Sequence, residues 1–193
     1  MKQKRDNLPI LFFKTAKEWE KWLNKNHSSE KEAWLQFYKK ASGVPSLNHP
    51  KALEVALCYG WIDAVANKYD EESYLQRFTP RRPKSIWSKK NIENVTRLIA
   101  EGKMKPAGLK EIEAAKADGR WKAAYDSPAN MEMPKDFLKE LAKNPKAEKF
   151  FQTLNKTNRF SIGWRLQTAK KPETRETRMK AIIEMLSKGQ KFH

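Results

Sequence analysis

From Ser88 to the last residue the apolar side chains recur at helical spacing, and two-residue alternation occurs only upstream of that point. Alternation is the signature of a half-buried strand and a period near 3.6 that of a helix. This change of period confines any sheet to the first half of the chain. Downstream, Ile92, Val95, Leu98 and Ile99 mark a helix that Gly102 can end, and Leu109 and Ile112 mark a second between Pro106 and Gly119. DFLKEL, EKFFQTL and RFSIGWRLQTAK carry further apolar stripes. Pro172 opens a last helix with Met179, Ile182, Ile183 and Leu186 on one face. SPANMEMP, residues 127–134, interrupts the run with Pro, Asn and Ser and is the expected linker.

Upstream, ILFFK at 10–14 is a short β-rich run, and Thr15 with Glu18 has the capping-box spacing for a helix carrying Trp19, Trp22 and Leu23. EAWLQFYKK alternates, placing Ala33, Leu35 and Phe37 opposite Trp34, Gln36 and Tyr38. A largely apolar helix follows in NHPKALEVALCYG, with Asn48 or His49 as cap, Pro50 in its first turn and Gly60 at its end. WIDAVANKYDEESYLQRF reads as a hairpin. A loop centred near Asp70 sets Val65 opposite Leu75 and Asp63 opposite Arg77. The expectation is an α+β fold, with a small antiparallel sheet and helices in the amino-terminal region and an all-helical carboxy-terminal module. Residues 1–126 form the first domain, 127–134 the linker and 135–193 the module.

At 193 residues, 39% of them hydrophobic and seven of them Trp, the chain has ample material for a core. Forty Lys and Arg against 23 acids give a net charge of +17, which attracts polyanions such as nucleic acid, anionic lipid or phosphorylated metabolites. The excess is spread along the chain: +9 from Pro134 onward and +8 before it. Cys58 stands alone, which excludes an internal disulfide, and the histidines are His27, His49 and His193. Zinc sites need several such ligands at short spacing, so neither a metal nor another cofactor is expected. Cys58 lies in an apolar helix with no nearby His in the sequence and reads as a buried thiol. No run reaches the roughly 18 apolar residues of a membrane span. The start, MKQKRDNLPILFF, has a charged beginning but a short apolar run and no small-residue cleavage site. A cytoplasmic protein is the expectation.

The densest functional signal is RFTPRRPKSIWSKKN, residues 77–91, with six basic side chains and no carboxylate. Pro80 and Pro83 keep Arg81 and Arg82 extended, and Ser88 stands where a helix beginning at Lys89 needs its cap. Helix N-termini present free N–H donors and partial positive charge, so an anion can sit there. Lysines beside such an end are otherwise unfavourable, and local rules are broken most often at functional sites. The candidate cleft comprises Trp61, Asp63, Arg77, Arg81, Arg82, Ser85, Trp87, Ser88 and Asn91. A plain capped helix start with solvated charges accounts for the same residues, and both readings stand at this stage. Arg175 and Arg178, three apart near Pro172, offer a second anion patch or simply a solvated face.

The chain resembles the YdeI/OmpD-associated family, also called bacteriocin-protection or OmdA-like proteins. The resemblance rests on WEKWLNKNH, EAWLQFYKK, ALCYGWID, RFTPRRPKSIWSKKN, LIAEGKMKPAGLKEIEAAKADGRW and AKKPETRETR in that order, and so spans nearly the whole sequence. It implies a bacterial protein with an α+β amino-terminal region, a helical carboxy-terminal module and a link to resistance against bacteriocins or cationic antimicrobial peptides. It carries no catalytic residues with it. A basic chain repels cationic peptides, so protection would run through another partner. Three functions follow. The first is a binding or adaptor protein whose cleft holds an anionic small molecule or an acidic protein segment. The second is an enzyme acting on a phosphorylated or carboxylated small molecule through the same cleft, with Asp63 as its titratable group. The third is nonspecific nucleic-acid binding, favoured by charge and disfavoured by the lack of a reader motif.

Overall fold

The computed structural model describes residues 9–193; the charged start, on which the leader expectation partly rests, lies outside the described residues. The chain divides into two compact units. One comprises residues up to Ile86 together with Asn91–Ala123, and the other Trp87–Lys90 with Ala124–His193.

The first unit runs β1 (Ile10–Leu11), α1 (Ala16–Asn26), β2 (Ala33–Tyr38), α2 (His49–Cys58), β3 (Trp61–Lys68), β4 (Ser73–Pro80), most of α3 (Lys89–Ala100) and α4 (Pro106–Ala117). The sheet order is β1-β2-β4-β3. It is antiparallel across β2, β4 and β3, whereas β1 joins β2 in parallel because α1 crosses over between them. The sheet is therefore mixed, and the fold is α+β. The capping box of α1 is complete: Glu18 N donates to Thr15 Oγ1 at 3.3 Å and Thr15 N to Glu18 Oε2 at 3.2 Å. That entry turns Trp19 and Leu23, both fully buried, onto the sheet face formed by Leu35, Phe37 and Phe78. Trp19 Nε1 donates to the Ala52 carbonyl at 3.1 Å, which ties α1 to α2. Full burial of such side chains stabilises by about 1.5–3 kcal/mol each, so this face holds the unit together. Asn48 caps α2 through Lys51 N, and Gly60 (φ +74°) turns the chain into β3.

The β3–β4 hairpin forms in a different register from the expected one. Asp63 stands opposite Phe78 rather than Arg77, and Leu75 opposite Asn67 rather than Val65, with a bulge between Asp63 and Ala66. Two local causes displace it. Asp70 does not occupy the middle of the loop; its carboxylate accepts from Glu72 N and Ser73 N at 2.9 and 2.6 Å, so the turn is centred one residue later. The bulge then absorbs one residue, and the amide of buried Gln76 donates to the Ala64 and Val65 carbonyls that it exposes. A one-residue slip moves a side chain to the other face. Asp63 consequently shares the core face with Phe78, while Arg77 lies on the outer face.

The second unit contains α5 (Lys135–Leu141), α6 (Pro145–Gln152), α7 (Lys156–Gln167) and α8 (Pro172–Ser187). Phe137, Leu141, Ala147, Phe151, Ile162, Leu166, Ile182 and Leu186 form its core. Asn144 and Asn155 cap α6 and α7 through Ala147 N and Asn158 N. Trp87–Lys90 joins this unit through a short parallel bridge: Tyr125 N donates to Trp87 O at 3.1 Å and Lys89 N to Tyr125 O at 2.8 Å. Among the described residues no helix is long and apolar enough to cross a membrane.

Candidate functional site

The basic stretch begins within β4, at Arg77, and beyond the strand its course is set by a turn rather than by the helix start. Ser85 N donates to Arg82 O at 3.0 Å, closing the four-residue turn Arg82-Pro83-Lys84-Ser85. Pro83 holds the first central position and Lys84 the second with φ +67°. Proline excludes a positive φ at its own position, so this is a type II turn, which ordinarily takes Gly or Asn where Lys84 stands. Lys84 is also the one non-glycine residue with positive φ among the described residues. A lysine there costs about 1–2 kcal/mol relative to ordinary backbone. It persists because the loop is fixed from beneath.

Two buried arginines do the fixing. Arg81, 6% exposed, donates through Nη1 to Ser85 Oγ and to Ile86 O, both at 3.4 Å, and its backbone N–H donates to Gly60 O at 2.9 Å. Arg120, also 6% exposed, donates through Nη1 to Ser85 O at 2.9 Å and through Nε to the Asp118 carboxylate. The Arg120 bonds have the short charge-assisted geometry that is stronger than a neutral bond, and the longer Arg81 contacts add to them. The turn is thereby pinned from two directions. Arg82 and Lys84 remain exposed.

Over the outer sheet face the turn closes a depression of about 430 Å3 lined by Ile62, Ala64, Thr79, Pro80, Arg82, Pro83, Lys84, Ser85 and Ile86. Its floor is apolar, its rim is cationic, and no carboxylate lines it. Three other depressions among the described residues each contain glutamate: Glu18 and Glu20 in one, Glu20 and Glu54 in the next, Glu140 and Glu176 in the third.

Of the residues singled out in the sequence, Arg82 and Ser85 line this depression and Arg81 supports it. The others are placed as follows. Trp61 is a core residue, 1% exposed, with Nε1 donating to His27 O. Asp63 bonds to His49 Nε2 at 3.1 Å on the core face, and Arg77 pairs with Glu32 at 3.2 Å on the outer face. The expected Asp63–Arg77 pair is therefore absent, because the register assigns the two side chains to opposite faces. Asn91 is half-buried in the first unit, whereas Trp87 and Ser88 are buried in the second. The helix start is also occupied by the chain itself: Lys89 N bonds to Tyr125 O, and the Lys89 ammonium meets Asp126 Oδ1 at 2.7 Å. The Lys89 hydrogen bond, seconded by Gln167, holds the Asp126 carboxyl below its ordinary pKa. Amide hydrogens expected to be uncommitted there are thus in part committed.

The second patch is likewise absorbed. Arg175 grips Asp136 with both terminal nitrogens, and Arg178 Nη1 donates to Arg165 O at 2.8 Å at the end of α7. Arg175 is thus paired with an acid, and Arg178 is in part engaged by the main chain. Sequence reading missed Arg120, Ile62, Thr79 and Ile86, and passed over Lys84 as one cation among several. Pro83 in a closed turn was the available signal for Lys84; nothing local marks Arg120. Among the described residues no cluster of three His, Cys, Asp or Glu could hold a metal ion.

Fold and site together define a class: a basic α+β unit bearing an apolar depression with a cationic rim, followed by a separate helical unit. The chain belongs to the family described as a domain of unknown function (DUF8412), which matches residues 11–111, just over half of its length. Residues 130–189 match the family described as Bacteriocin-protection, YdeI or OmpD-Associated. The likeness read over nearly the whole sequence is thus located in the helical unit. No curated protein and no solved structure gives a significant match.

Proposed function

We propose that the protein is a cytoplasmic binding or adaptor protein whose first unit holds an amphiphilic anion, a carboxylate or phosphate with an apolar body, in the depression beneath the Arg82–Ser85 turn. The carrying observation is the lining: two exposed cations above Ile62, Ala64, Pro80, Pro83 and Ile86, with no carboxylate to neutralise them. Arg82 suits a planar or tetrahedral oxyanion, and Lys84 adds a point charge. The strained Lys84 backbone supports the reading, since such outliers persist where the surroundings fix them for a purpose. An acidic segment of a partner protein, with apolar residues beside its carboxylates, has the same chemistry. The bacteriocin-protection description of the matched family fits a protective role exercised through such an anionic partner, because a chain of net charge +17 repels cationic peptides.

Binding is favoured over catalysis by the same lining. It supplies hydroxyl, guanidinium and ammonium groups, while Asp63, the candidate acid of the enzyme reading, sits with His49 on the other face of the sheet. Titration calorimetry with hexanoate, hexylphosphonate and hexylamine tests the proposal. The two anions should bind, more weakly as salt is raised, and the amine should not. Arg82→Ala with Lys84→Ala should abolish anion binding and leave the fold intact. Equal binding by the double variant, or none by the wild type, would refute the reading.

A further inference from the structure

The second unit carries its own concentration of positive charge, on a surface that the depression of the first unit does not use. Helices α6 and α7 contain Lys146, Lys149, Lys156, Arg159 and Arg165 against a single acid, Glu148. Lys146, Lys149 and Gln152 follow one another at three-residue spacing and are exposed, so they form one stripe on α6. Three residues, Thr153–Asn155, then turn the chain into α7, where Lys156 and Arg159 are again three apart and exposed. Arg159 joins the two stripes: its Nη2 donates to Gln152 O at 3.1 Å and its guanidinium lies 5.1 Å from the Phe151 ring centroid. Four exposed cations therefore flank the turn, two on α6 and two on the first turn of α7. Lys146, Lys149 and Lys156 enter no ion pair among the described residues, whereas Lys143, Lys180 and Lys188 of the same unit are matched with glutamates; Lys135, Lys139, Lys170, Lys171 and Lys191 are also unmatched, but they do not continue the two stripes that meet at the Thr153–Asn155 turn.

The first turn of α7 also has no acidic residue. Cations at that end oppose the helix dipole, at a cost of about 0.3–1 kcal/mol each, and α7 places two there. Solubility alone would be served as well by lysines elsewhere. A row of unmatched cations over a short turn between two helices, reinforced by the positive end of the second, is complementary to a row of phosphates. We infer that the α6–α7 face of the second unit binds the phosphodiester backbone of duplex nucleic acid. The contacts are to phosphates, so binding is independent of base sequence and dominated by counterion release.

Fluorescence anisotropy of the full chain with a labelled 20-base-pair DNA duplex, measured between 50 and 200 mM salt, is the test. Four phosphate contacts give a slope of log K against log salt near −3.6, a loss of affinity of about 150-fold over that range. Lys146→Gln, Lys149→Gln and Lys156→Gln together remove three of them and should flatten the slope by about 2.7. Arg159 is retained because it also packs on Phe151. A control removing the same net charge from the first unit, Lys17→Gln, Lys21→Gln and Lys25→Gln, should leave the slope nearly unchanged. Equal flattening by both triple variants would show that net charge alone attracts the duplex and would overturn the assignment. So would no binding at 50 mM salt, or binding to phosphatidylserine vesicles without binding to the duplex.

Discussion

Lys84 shows how a single residue can work against the stability of the unit that contains it. With φ at +67° it occupies the position that a type II turn gives to glycine, and Lys84→Gly should relieve that strain. After allowance for the greater freedom of glycine in the unfolded chain, the expected gain is on the order of 0.5–1 kcal/mol in chemical denaturation. The same variant should weaken anion binding, because it removes half of the cationic rim. A loss of stability instead would mean that the lysine side chain has a structural partner in the turn. Cys58 offers a second test at this scale. Burial raises its thiol pKa from 9.0 to about 11, with Glu20 adding to the shift. A raised pKa favours the folded state while the thiol is neutral, so this contribution is complete below pH 9 and is lost as pH rises toward 11. Alkylation of the native protein at pH 8 should accordingly be slow and should become fast on unfolding. Rapid native labelling would contradict the burial. Much at this scale was legible: Thr15, Glu18 and Asn48 announce their caps through chemistry contained within four residues. Arg120 was not, since its reach to Ser85 spans 35 positions and no local pattern encodes it.

At the scale of elements, the contact of α2 with α4 depends on Gly108. A Cβ at that position would meet the Cys58 carbonyl and come within 2.7 Å of the Leu57 carbonyl, both backbone atoms. Gly108→Ala should therefore cost about 1–3 kcal/mol, since neither helix can yield without loss of packing. Gly163 is the contrasting case. There the added atom would meet Met131 and Met133 side chains, which have rotamers to spare, and Gly163→Ala should be close to neutral by thermal denaturation. If the two substitutions proved equally costly, the distinction between backbone and side-chain contact would fail. Elements themselves were read well from periodicity, because alternation and helical spacing are local. Strand register was not, because it depends on where the turn is centred and on a bulge. Asp70 displaced the first, and the second is held open by Gln76 from the neighbouring strand. That shift of one to two positions separated Asp63 from Arg77 and removed both from the candidate site.

For the molecule as a whole, the composition of the two units, in which Trp87–Lys90 groups with Ala124–His193, was not visible in the sequence. The linker chemistry at 127–134 is local, but the attachment of Trp87–Lys90 to the segment around Tyr125 is a pairing across 37 positions that propensity cannot reveal. Charge was legible as a total and not as an arrangement. Folding pairs some of the 40 basic residues with acids, and the cations it leaves without an acid among the described residues include the two places where binding is proposed, the Arg82–Lys84 turn in one unit and the α6–α7 face in the other. The most direct measurement of the central claim is an amide-resolved NMR titration with hexylphosphonate. Shifts should centre on Lys84, Ser85 and Ile86, extend to Ile62 and Thr79 on the sheet, and vanish in the Arg82→Ala, Lys84→Ala variant. Shifts confined to Ser88–Lys90 and Tyr125–Asp126, or scattered over the surface in proportion to exposed lysine, would contradict the account.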